Sequence, residues 1–76
     1  MNFETSDIGV VATATRHELL IGGTLVGYAK LEGPGADGDG WWRPVLTGPD
    51  GPTMLLIKRG PEAAIDALLD RLDGRR

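Results

Sequence analysis

"TMLLIKRGPEAAIDALLDRL", residues 53–72, contains the change of period that decides the fold. Its first six residues are dominated by aliphatic side chains and read as a β-strand. "MLLI" is apolar on both faces, which predicts a central strand, or one sandwiched between a helix and a partner. Gly60, Pro61 and Glu62 then supply an N-cap, a first helical position and an acidic first turn. Ile65, Leu68, Leu69 and Leu72 recur at helical spacing, so a helix is predicted over about 61–73, closed by Gly74. A helix with a single apolar stripe has to lie on a flat apolar layer.

The preceding residues supply that layer. "IGVVATAT", from Ile8 to Thr15, is β-branched and reads as a strand. "RHELLI" and "TLVGYAKLE" flank Gly22-Gly23, a two-residue hairpin signal because the favoured turns need positive φ. In the second arm Leu25, Gly27, Ala29 and Leu31 share one face, read as the core face, and Tyr28 lies on the other. Gly27 inside a strand predicts a bulge or a close neighbour such as a packed helix. After the Gly- and Asp-rich loop at 33–40, "WWRPVLT" is another strand, and Pro44 makes it an edge strand or bulges it. The expected fold is therefore α+β: an antiparallel sheet of three to five strands packed against one C-terminal α-helix. It forms a single domain over 1–76, with 1–7 frayed and the sheet over about 8–58.

Trp41 and Trp42 are adjacent, so they must project to opposite faces of their strand. If Trp42, Pro44 and Leu46 meet the helix, then Trp41, Arg43 and Val45 occupy the far face; the reverse assignment exposes Trp42. Either way the helix covers one sheet face, and an indole is left on the other. That indole is either an interface anchor, as large aromatics with Arg often are, or is covered by the N-terminal strand or its loop.

Seventy-six residues lie near the lower limit for a self-sufficient core, and the chain has no cysteine for disulfides or thiolate metal sites. Tight packing of a monomer and a homodimer remain as the two solutions. The apolar fraction of 41% is that of a folded domain. No apolar run could span a bilayer, and the N-terminus lacks the pattern of a secretory signal, so a cytoplasmic protein is expected. Eleven acidic against eight basic residues give a net charge of −3, which works against binding a polyanion. The preference for Arg over Lys, with abundant Gly, Ala, Asp and Pro, fits a GC-rich actinobacterial or phage source.

The inventory for catalysis is thin. The single His17 neighbours Glu18 at a strand start and reads as solvated, while Ser6 lies in the frayed end. No catalytic residues are assigned, and an enzyme is not expected. Asp37 and Asp39 echo the opening of a calcium loop, but position twelve is Gly48 and no helices flank it, so no metal site is assigned. No glycine cluster carries a phosphate-loop ending, and no cofactor is expected. Glu62, Asp66 and Asp70, with Asp73 close to the same line, form an acidic stripe beside the apolar face of the helix. It reads as a solvated surface, or as a ridge that docks on a basic partner or imitates a row of phosphates.

The pattern "GTLVGYAKL…DGWWRPVLTGPDGPTMLLIKRGPEAAIDALL" resembles the three-stranded-sheet-plus-helix modules at the N-termini of phage-type integrases and in AP2-like DNA-binding domains. The resemblance covers about residues 18–72. It implies a sheet that enters the major groove with basic and aromatic side chains. The strands here offer Lys30, Arg43 and Lys58 for that purpose, in an acidic chain.

Together these readings lead to a non-enzymatic interaction module. It is expected to bind a protein partner, or a second copy of itself, through an exposed aromatic sheet face at Trp41, Arg43, Tyr28 and Val45. The acidic helix stripe would tune partner choice. The alternative is a nucleic-acid-binding module that uses the same face, with Arg16, Lys30, Arg43, Lys58, Arg59 and the Arg75-Arg76 tail on phosphates. No membrane partner is expected.

Overall fold

The computed structural model describes residues 8–34 and 40–72. The segment expected to fray, the loop aspartates Asp37 and Asp39, and Asp73 and Gly74 lie outside these residues. The elements in chain order are β1 (Ile8–Ala12), β2 (Arg16–Ile21), β3 (Thr24–Gly33), β4 (Trp41–Leu46), β5 (Thr53–Met54), β6 (Lys58–Arg59) and α1 (Pro61–Leu72). Each strand pairs antiparallel with its neighbour in the order β1-β2-β3-β4-β5, and β6 also pairs with β4. The α+β architecture holds: an antiparallel meander backed by α1. No described helix is long and apolar enough to cross a membrane.

The β2–β3 hairpin turns on Gly22 and Gly23, with φ of 59° and 82°, as its Gly-Gly signal requires. Opposite Gly27, the ladder slips. Leu19 pairs with Gly27 but Leu20 pairs with Leu25, so Val26 is an extra, bulged residue. Alternation through β3 therefore breaks at this point. Leu25, expected in the core, is 38% exposed, and Val26 packs against the core instead. Gly27 also meets the helix. A Cβ there would lie 3.3 Å from both Leu68 Cδ atoms and 2.8 Å from the Val45 carbonyl oxygen. Both alternatives offered for that glycine are thus realised at one position.

The core lies between α1 and the sheet. Leu19, Ala29, Trp42, Ala64, Ile65 and Leu68 form one buried cluster. Each fully buried leucine contributes about 1.5–3 kcal/mol relative to exposure. The helix covers β2, β3 and β4, and Ala29 of β3 is small enough for His17 and Trp42 to meet across it. Their rings stand edge to face at 4.9 Å. His17 is therefore half-buried against the core, a correction to its reading as a solvated neighbour of Glu18, which lies on the opposite face.

The stretch "TMLLIK" is not a central strand. It forms the edge beyond β4 and is split into β5 and β6, so the sheet has more strands than expected. Val45 pairs with Met54 and Trp42 pairs with Lys58, leaving Arg43 and Pro44 opposite Leu55, Leu56 and Ile57. The Leu55 N–H donates to the Pro44 carbonyl at 2.8 Å. A regular antiparallel pair would return a bond from residue 44 to the Leu55 carbonyl, but proline has no N–H. The Arg43 guanidinium fills that role, with Nη1 donating to the Leu55 carbonyl at 2.8 Å. Of the two options for Pro44, the bulge is the one adopted.

Candidate interaction surface

With Trp42 in the core, alternation places Trp41, Arg43 and Val45 on the sheet face away from α1. Cross-strand register then assembles that face. Arg16 pairs with Lys30, and Lys30 with Arg43, so three cations form a row across β2, β3 and β4. Glu18, Tyr28, Val45 and Met54 make the next row. Trp41 pairs with Arg59 on the far side of the cations.

Both aromatic rings are accompanied by guanidinium groups. Arg16 Cζ lies 3.9 Å from the Tyr28 ring centroid, and Arg59 Cζ lies 5.3 Å from that of Trp41. Cation–π geometry of this kind holds the rings in place while leaving edges and apolar flanks open. Arg16 Nε also donates to Glu18 Oε2 at 3.1 Å, and Arg43 Nη2 to Glu32 Oε1 at 3.3 Å. Ion pairs this close to solvent contribute little to stability. They do leave the cation row only partly compensated, and like charges directly opposite one another are unfavourable in an isolated sheet.

The four residues expected to bind a partner divide by exposure. Trp41 is 37% exposed and Tyr28 is half-buried. Arg43 is held at the edge by Leu55 and Glu32, and its Nε is buried without a hydrogen-bond partner. Val45 is a correction: at 3% exposure it is buried and not open to a partner. The N-terminal strand does not cover Trp41, because β1 lies at the opposite edge.

From the sequence, Arg16, Lys30 and Arg59 are expected among the phosphate contacts of the nucleic-acid alternative and not among the partner-binding residues. Their alignment with Tyr28 and Trp41 depends on strand register, which the residue order does not print. Lys58 separates from them, pairing with Trp42 and facing the helix side. The acidic stripe is also on that side. Glu62, Asp66 and Asp70 are exposed on α1. Asp66 and Asp70 border an open groove of about 740 Å³ that they share with Lys58, Arg71, Met54 and Leu56. The stripe is thus interleaved with cations, and Asp73 lies outside the described residues. Searches of protein-family models, curated proteins and solved structures find no match to this chain.

Proposed function

We propose that the chain is a non-enzymatic interaction module. Its uncovered sheet face binds an acidic protein surface that carries an apolar or aromatic anchor. The observation that supports this most is the row Arg16–Lys30–Arg43, bordered by the Tyr28 and Trp41 rings on the face α1 leaves open. Arginine and large aromatics are the residue types that concentrate binding energy at protein interfaces. Carboxylates from a partner would relieve the like-charge row, and Trp41 would be buried.

The cation row also favours a second reading, in which the same face binds nucleic acid. Three cations aligned across adjacent strands give this face a local charge that the net −3 conceals, although Glu18 and Glu32 offset part of it.

Affinity capture with the full chain and with Trp41→Ala separates the two, alongside fluorescence anisotropy on a mixed-sequence DNA duplex. The protein reading expects a captured protein that Trp41→Ala loses at least tenfold and that remains bound at moderate salt. Capture undiminished by Trp41→Ala and by Lys30→Glu would overturn it. Duplex binding that falls steeply with salt, with no Trp41-dependent protein, would replace it with the nucleic-acid reading.

A further inference from the structure

The two edges of this sheet are built differently. On the β4 side the edge consists of two-residue strands, broken opposite Pro44 and bearing Lys58 and Arg59. Short strands, bulges, charge and proline all keep a sheet edge from pairing with another chain. The β1 edge has none of them. Ile8–Ala12 reads "IGVVA", and the next three residues are Thr13, Ala14 and Thr15, so no charge or proline falls between 8 and 15. Val10 and Val11 are 46% and 54% exposed, and among the described residues no strand lies beyond β1.

The phase of the ladder decides which backbone groups this edge offers. The Thr13 N–H donates to the Arg16 carbonyl at 2.7 Å. Alternating from there, Val11 and Gly9 direct their N–H and C=O groups toward β2. Those of Ile8, Val10 and Ala12 therefore point outward, a row of donors and acceptors along the open edge.

We infer that β1 pairs antiparallel with β1 of a second copy, about a twofold axis through Val10. In that register Val10 faces its own equivalent, Ile8 faces Ala12 and Gly9 faces Val11. Large side chains meet small ones, and no charges oppose each other. Each of the three outward-directed residues exchanges two N–H···O bonds with its counterpart. A twofold normal to the sheet keeps both helices on one side and puts both cation rows on the other, at opposite ends of the paired strands. A domain this small, with no disulfide, gains stability from such pairing. The inference stands on the edge alone and does not depend on the partner proposed for the open face.

Sedimentation of the full chain over a concentration series reaching the millimolar range tests it, since a short edge makes an interface at the small, weak end of the scale. The expected result is a monomer–dimer equilibrium. Val10→Lys should weaken it by about tenfold or more, because two cations would then oppose each other across the axis. Met54→Lys at the other edge and Trp41→Ala on the open face should leave it unchanged. In parallel, the Val10 amide should exchange with solvent more slowly as concentration rises. A concentration-independent monomer overturns the inference. So does association that survives Val10→Lys in a variant of unaltered circular dichroism, or that leaves Val10 exchange unaffected.

Discussion

Arg43 shows how one side chain can do a backbone's work. Pro44 cannot return a hydrogen bond to Leu55, and a carbonyl left without a donor at a partly buried edge costs about 1–3 kcal/mol. The guanidinium of the preceding residue reaches that oxygen at 2.8 Å. Arg43→Met should therefore lower stability by about 1–3 kcal/mol, read from the urea midpoint at constant m-value. The cost should shrink in a Pro44→Ala background, where residue 44 regains an N–H to offer Leu55. A double-mutant cycle measures this coupling apart from the cavity that Pro44→Ala opens in both of its legs. Strictly additive effects would mean that the two donors do not substitute for each other. Arg43 thus has a structural duty that its expected role in partner binding did not include.

Among the elements, β3 and α1 are fitted to each other through a bulge. The extra residue at Val26 rotates Leu25 out toward solvent and lets Gly27 come within van der Waals range of Leu68. A strictly alternating strand would make Leu25 a core residue. The bulged strand makes it a surface one, and the two pictures predict different mutants. Leu25→Lys should change stability by no more than about 0.5 kcal/mol, as ordinary surface substitutions do. Leu68→Ala, at a fully buried position, should cost about 2–5 kcal/mol. Chemical denaturation of the two variants side by side checks the bulge, and a Leu25→Lys penalty near that of Leu68→Ala would contradict it. The same slip explains why the spacing of apolar residues in "GTLVGYAKL" located the strand but misassigned one of its inward positions.

At the scale of the whole molecule, the helix lies on one side of the sheet, and among the described residues two features are left open. One is the face bearing the cation row and its two rings, and the other is the β1 edge. Edge pairing should appear in thermal unfolding, since a dimer that dissociates on unfolding melts at a temperature that rises with concentration. The wild-type midpoint is expected to climb across a hundredfold concentration range, while that of Val10→Lys stays flat. Equal slopes for the two proteins would place any self-association elsewhere.

The order of residues determined what depends on neighbours close in the chain. The apolar spacing of Ile65, Leu68, Leu69 and Leu72 specified the helix and its buried side. Gly22-Gly23 specified the hairpin turn, and the adjacency of Trp41 and Trp42 guaranteed one indole on each sheet face. Which indole is buried was settled by the tertiary structure, because only the seating of α1 over β2, β3 and β4 selects a face. Packing also decided that "TMLLIK" is a split edge, since the missing donor belongs to Pro44 on another strand. The alignment of Arg16, Lys30 and Arg43 has the same origin. Those residues lie far apart in sequence and become neighbours through strand register, a non-local property set by turns, bulges and the helix together.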